Sequence, residues 1–299
     1  MIDSPPATHS ALARVNSVRH THIRSRTMRR LLADRTAIAA AIFLVLIVVI
    51  TFIGPWFTLD PNAQVLADRN LGPSSQHWLG TDRLGRDLLA RLIVGAQASV
   101  FGSALAVGVG LAVGVPLGLI AGYAHRRIDA ALNAVSDTVL SIPPLLLAMV
   151  IVGIRGPGLA NAMFAVGILL VPRFFRVTRV QTRIVREQTY IEAERAAGCP
   201  LPRLLWRHVL PNVGDPILVQ ISFALGMAIV VEASLSFLGL GVKAPTASWG
   251  SMAQDAFQAI QSSTWQLYPP AVVICLTILA MSIFGDGLRD ALGRGHGRS

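Results

Sequence analysis

A single acidic residue, Glu232 in VVEASLSFLGLG, stands deep within an apolar stretch of this 299-residue chain. An ionised carboxylate in such a place is costly unless it faces protein or water. Glu232 is therefore either a proton or ion site, or a protonated or paired structural group at a helix interface. A proton-coupled carrier is expected to hold further acids along a path, and no second acid occurs at similar depth. An ATP-hydrolysing domain would need the phosphate-cradling run G-x-x-x-x-G-K-[ST], in which lysine reaches the terminal phosphates. The only lysine here is Lys243, preceded by Val242, so the chain has no such loop. The seven histidines include no H-E-x-x-H pair, and Cys199 and Cys275 lie far apart in sequence, so spacing draws no familiar metal site. The expectation is a chain without catalytic residues and without a metal or cofactor of its own.

The elements that hold these residues are membrane spans. With 53% hydrophobic and 14% charged residues the chain reads as an all-α, polytopic membrane protein. Six apolar segments, 36–57, 99–122, 137–154, 159–177, 217–240 and 268–285, are each near the ~20 residues that cross a bilayer as a helix. Pro143, Pro144 and Pro172 interrupt the two in the middle. With the N-terminus inside, 20 of the 26 Lys and Arg residues fall on the cytoplasmic side and 6 on the other. The positive-inside rule then places both termini in the cytoplasm. The net charge of +10 is accounted for by that bias and calls for no nucleic acid.

The chain divides accordingly into a disordered basic arm (1–35), a first span (36–57) and an outer loop with an interfacial helix (58–98). A five-helix core (99–285) and a cytoplasmic tail (286–299) follow. The first apolar run begins too late, and is too long, for a cleaved signal peptide, so it is read as a retained span. The topology separates the two cysteines, and no disulfide is expected.

In the second span Gly102, Gly110, Gly114, Gly118 and Gly122, with Ala98 and Ala106, form a four-residue ladder of small side chains. Such a face admits a closely packed helix, either within the chain or from a partner subunit. Pro116 is expected to kink the same helix. In the outer loop, HWLGTDRLGRDLLARLIVGAQAS has a candidate N-cap in Thr81 or Asp82, with leucines on one side and Asp and Arg on the other. It is read as a helix lying at the outer interface. Trp249, Trp265 and Tyr268 fall where an aromatic belt would anchor the chain, or where an outer gate would be lined.

The largest inner loop, 186–215, contains YIEAERAAGCPLPRLLWRHVLPN. Glu192 to Ala197 favours helix, Gly198 can take the positive φ that ends one, and Pro200 and Pro202 favour the start of another. Two short helices at an angle are expected. Small residues at Ala193, Ala196 and Ala197 would allow close approach, and Arg195, Arg203 and Arg207 offer charge pairs. Both point to docking of a cytoplasmic partner; an interfacial loop held to anionic lipid is the other reading.

The spacing of Glu192-Ala193, Gly198 and Leu210-Pro211 resembles the E-A-A loop of permease subunits in bacterial ATP-binding-cassette importers, whose pattern is EAA, three residues, G, then I-x-LP. Glu194 stands where alanine is usual and His208 where isoleucine is usual. HWLGTDRLGRDLLAR, DTVLSIPPLLLAM, EASLSFLGLGVKAPTASWGSM and FGDGLRDAL resemble the C-type permease of dipeptide and oligopeptide importers, in the family's order. The resemblance implies a type I importer fold with six transmembrane helices in the bacterial inner membrane. It implies four sorts of partner: a homologous second permease, two cytoplasmic ATPase subunits or domains that carry ATP and Mg, an extracytoplasmic solute-binding protein, and lipid. Glu192, Ala193, Arg195, Ala196, Ala197, Gly198, Arg203, Arg207, Leu210 and Pro211 would form the coupling element. The alternative is a self-contained proton- or ion-coupled carrier using Glu232.

Overall fold

Two aspartates set where the first membrane helices begin. In the computed structural model, which describes residue 29 and residues 31–293, helix α1 (Arg35–Ile53) is capped by Asp34, whose carboxylate accepts from the backbone N–H of Thr36 at 2.9 Å and of Ala37 at 3.3 Å. Helix α2 (Leu88–Tyr123) is capped by Asp87, which accepts from Ala90 N–H at 2.8 Å. Most of the arm and the last six residues lie outside the described part.

The cap expected at Thr81 or Asp82, and the interfacial helix with it, are corrected here. Asp82 Oδ1 accepts from the backbone N–H groups of Leu84 (2.8 Å) and Arg86 (3.0 Å), which closes a turn where a helix would have run. Gly80 and Gly85 take φ of +76° and +73°, and a Cβ on Gly85 would stand 1.9 Å from the Val65 carbonyl oxygen. Only from Leu88 does the backbone become helical, and it stays so for 36 residues, about 54 Å at ~1.5 Å per residue. Pro116 lies inside this helix.

The chain continues through α3 (Arg126–Ser141), α4 (Pro144–Arg155), α5 (Leu159–Arg186), α6 (Thr189–Ala196), α7 (Leu201–Phe237), α8 (Trp249–Gln258) and α9 (Tyr268–Gly293). Five of these helices are long and apolar enough to cross a membrane. The segment expected to span at 137–154 is not one helix: α3 and α4 meet at 91° across Ile142 and Pro143. Each residue before a proline is pushed out of the α region, and ψ is 129° at Ile142 and 128° at Pro143.

The glycine ladder fixes how α2 and α5 run. A Cβ on Gly102 would meet Leu159 and Met163; on Gly110, Leu170 and Phe174; on Gly118, Thr178; on Gly122, Thr182. Numbers rise together along both helices, so the two are parallel, and α3 with α4 must carry the chain back across between them. Tyr123 and Arg186 share one end, joined by Arg186 Nη1 donating to the Tyr123 carbonyl at 3.1 Å. Gly158 donates to Leu240 at 3.4 Å at the other. The broken pair is thus a sixth crossing. Gly287 packs on Ala37, so the described ends of α1 and α9 lie together, on the same face as α6.

The ladder is filled by α5 of the same chain, which leaves that face no room for a partner permease. Gly114→Leu would drive a side chain into the Val171 carbonyl, 2.6 Å from the added Cβ, whereas no described residue lies within 4 Å at Gly108. Overpacking of this kind costs about 1–3 kcal/mol. Thermal unfolding in detergent is expected to show a lowered midpoint for Gly114→Leu and a near-unchanged one for Gly108→Leu.

Candidate functional site

The loop between α5 and α7 is built on a charged helix end. Asp129 on α3 is almost fully buried and is held by Arg179, by Arg183 at 2.5 Å and by Asn133 at 3.0 Å. This pairing docks α3 against the polar end of α5, past the limit of 177 that hydropathy suggested. Arg186 and Arg195 both place guanidinium groups against the Tyr123 ring, at 5.2 and 5.8 Å from its centroid. Arg195, expected to pair with a partner, therefore ties α6 to the end of α2. Ile191 plugs the same junction from α6 and is fully buried.

Gly198 ends α6 as a Schellman motif. Its φ is +79°, Cys199 N–H reaches the Glu194 carbonyl at 3.1 Å, and Gly198 N–H reaches that of Arg195 at 3.0 Å. The second short helix expected after Pro200 is the head of α7 instead, continuous into the membrane through a π-helical turn at Leu204–Val209. Pro211 is the physical reason. It has no N–H to give to the carbonyl four residues back, so the turn widens and Leu210 N–H bonds Leu205. Asn212 Nδ2 then donates to the His208 carbonyl at 2.6 Å. The loop thus runs without a break into a helix of 37 residues.

Glu192, Ala193, Ala196, Ala197, Gly198, Arg203, Arg207 and Pro211 are exposed on this loop, and Leu210 is half-buried. Leu201 and Trp206, which the motif does not single out, are also exposed, Trp206 at 57%. A bulky aromatic set directly before Arg207 and His208 was the available signal. The surface combines small, apolar and cationic groups around a rigid turn, as a docking element needs.

Glu232 is fully buried at the opposite end of the molecule. Ser99 Oγ of α2 donates to its Oε2 at 3.1 Å and Ser236 Oγ donates to Oε1 at 2.7 Å. Ser99 Oγ in turn accepts from Trp249 N–H at 3.3 Å, so α2, α7 and α8 are clipped through one carboxyl. Trp249 itself is buried and donates through Nε1 to the Leu92 carbonyl at 3.0 Å, which corrects its placement in a lipid-facing belt. Trp265 and Tyr268 are exposed and pack on each other at 5.8 Å.

This clasp has a measurable signature. Glu232→Gln keeps the shape, with an oxygen that accepts from one serine and an NH2 that donates to the other once that hydroxyl turns, so assembly is expected to survive with little change. Glu232→Leu strands two buried hydroxyls, at about 1–3 kcal/mol each, and is expected to lower the thermal midpoint clearly. A Gln variant that assembles normally but loses all function would mark Glu232 as a proton carrier.

Beside the clasp lies a cluster of charges. Arg86 bonds Asp82 at 2.6 Å and Asp255 at 3.2 Å, Arg91 lies 3.7 Å from Asp82 and 3.6 Å from Asp255, and Arg83 reaches Asp255 at 3.3 Å. Arg86, Arg91 and Asp82 are all buried, so what reads as the polar side of an amphipathic helix is an internal tie between the outer loop and α8.

Residues 114–297 match the family described as binding-protein-dependent transport system inner membrane component, and residues 24–73 match the N-terminal transmembrane domain of oligopeptide transport permease C. The chain is 40% identical to a dipeptide transport system permease protein of Alkalihalophilus pseudofirmus, over 88% of this chain and 87% of that one. It is 40% identical to a glutathione transport system permease protein of Pectobacterium atrosepticum, over 88% of each. It is 38% identical to a probable D,D-dipeptide transport system permease protein of Escherichia coli, over 85% and 86%. Among solved structures, an inward-facing MetNI methionine ABC transporter superposes with a TM-score of 0.55 at 17% identity, covering 68% of this chain and 97% of that one.

Proposed function

The chain belongs to the family of binding-protein-dependent transport system inner membrane components, and from that premise we propose that it forms one half of the translocation pathway of an ATP-driven importer of peptides. The observation that carries the two-chain pathway is the break between α3 and α4. Non-helical backbone at membrane depth is tolerated only where protein or a water-filled cavity meets it. Ser141, Ile142, Pro143 and Pro144 are all exposed on the single chain, as are Leu145, Leu146, Met149 and Val150 on the helix that follows. A homologous second permease packed there, with the pathway between the two, satisfies this surface.

The loop 186–215 seats in a cytoplasmic ATPase subunit, of which two supply ATP and Mg chemistry that this chain lacks. An extracytoplasmic binding protein delivers the peptide to the outer side. Closure of the ATPases displaces α6 and the head of α7 together, and the continuous α7 passes that motion to the outer clasp. Glu232 is sealed among serines there, which disfavours the self-contained carrier.

The arginine distribution supports N- and C-termini in the cytoplasm. Single cysteines near Gln76 and Ser251 are expected to react with an impermeant maleimide on intact cells, and those near Arg126, Arg186 and Gly295 only after permeabilisation. The function itself is tested by co-purification with the candidate second permease, ATPases and binding protein, followed by identification of the peptide held by that binding protein. A stable complex with a peptide ligand is expected. Failure of this chain to associate with any second permease would overturn the reading.

A further inference from the structure

Two residues of the loop that depart from the E-A-A pattern, Glu194 and His208, come together in space with Cys199. One donor atom of each, a carboxylate oxygen, the thiol sulfur and an imidazole nitrogen, all lie within 4.8 Å of one another. The fold brings them there. The Schellman turn at Gly198 sets Cys199 back over the last turn of α6, where Glu194 sits, and α7 returns His208 to face both, with Nδ1 3.7 Å from Glu194 Oε1. All three are half-buried, so an ion could reach them and still be partly shielded.

We propose that Glu194, Cys199 and His208 form a binding site for a divalent, thiolate-preferring cation of the zinc class. Tetrahedral zinc holds sulfur at ~2.3 Å and nitrogen or oxygen at ~2.0–2.2 Å, which sets neighbouring ligands about 3.3–3.8 Å apart. The Glu194–His208 separation of 3.7 Å is close to that spacing, and the Cys199 sulfur, within 4.8 Å of both other donors, moves inward on binding. Binding replaces the thiol proton by the metal: an S–H bond breaks, a metal–sulfur bond forms and one proton goes to water. His208 contributes the Nδ1 lone pair as the neutral imidazole. Glu194 supplies one oxygen, and the fourth position is left for water or a partner side chain. Thiolate with imidazole favours zinc-class ions over magnesium or calcium, which prefer oxygen ligands.

Because Glu194 and Cys199 flank the turn that closes α6, and His208 lies in the π-helical turn of α7, a bound ion pins the joint of the loop. Its effect on transport rests on the coupling role proposed above; the binding does not. The test uses the purified full chain in a Cys275→Ser background, with Co²⁺ as the probe. A thiolate-to-cobalt charge-transfer band saturating at one ion per chain, and reversed by Zn²⁺, is the expected result. Cys199→Ser is expected to abolish the band, and Glu194→Ala and His208→Ala each to weaken binding at least about tenfold, the least that loss of a group merely orienting a metal ligand costs. Absence of the band, or affinity unchanged in both Ala variants, overturns the site. In the assembled complex, Zn²⁺ is expected to lower ATP hydrolysis stimulated by loaded binding protein, and to do so less in Cys199→Ser. Binding with hydrolysis untouched would overturn the pinning of the joint.

Discussion

Gly198→Val is expected to uncouple the chain from its ATPase while leaving the membrane helices intact. Gly198 holds φ of +79°, and no described residue lies within 4 Å of an added Cβ, so the penalty is in the backbone and not in crowding by those neighbours. A β-branched residue pays about 1–2 kcal/mol for that conformation. Set against the seated conformation of the loop, this weakens ATPase association about five- to thirtyfold. Asparagine tolerates the left-handed region, so Gly198→Asn is expected to retain most of the association. Glu192→Lys reverses an exposed charge in the first turn of α6 and is expected to weaken the partner contact, with a smaller loss from the helix dipole. Co-purification followed by binding-protein-stimulated ATP hydrolysis in proteoliposomes reads both variants. Wild-type association in Gly198→Val would remove the loop from the coupling path.

Asp82→Leu has the largest expected effect on folding. Asp82 is the nearest partner of buried Arg86 and faces buried Arg91, so its loss leaves two guanidinium groups with Asp255 as their only acidic partner among the described residues. Breaking a buried pair from one side costs about 3–5 kcal/mol. Protease sensitivity of the outer loop and a sharply lowered thermal midpoint in detergent are expected. Removing the opposing charge as well, in Asp82→Leu with Arg86→Met, should recover part of the loss, because the double variant no longer strands that cation. A midpoint unchanged in Asp82→Leu would show that the cluster is a surface feature.

Hydropathy located the spans because apolar content is a property of short windows, and the described helices fall over all six segments. Window averages are blind to continuity, however. They placed one span at 137–154, where Ile142 and the two prolines turn the chain through 91°. The same averages stopped α5 short of Arg179, Arg183 and Arg186, which Asp129 and the Tyr123 junction hold in helical order beyond the apolar part. Gly198 was legible because the Schellman turn is made of bonds within a few residues. The charged cluster was not legible, since Asp255 joins Arg83, Arg86 and Arg91 from a distant segment and Asp82 satisfies a turn before it can cap a helix. Trp249 misled for a related reason: its neighbours suggested a membrane interface, and only the approach of α2 shows its indole nitrogen bonded inward. The metal-donor trio escaped spacing rules because its three residues meet only once the turn at Gly198 has formed.

Uptake by the reconstituted system tests the importer role most directly. Proteoliposomes would carry this chain, its second permease and the ATPases, with loaded binding protein outside and ATP within. They are expected to accumulate labelled peptide only when ATP and binding protein are both present, and to lose that uptake when Gly198→Val replaces the wild-type chain. Uptake by this chain alone, driven by a proton gradient without ATP, would contradict the account.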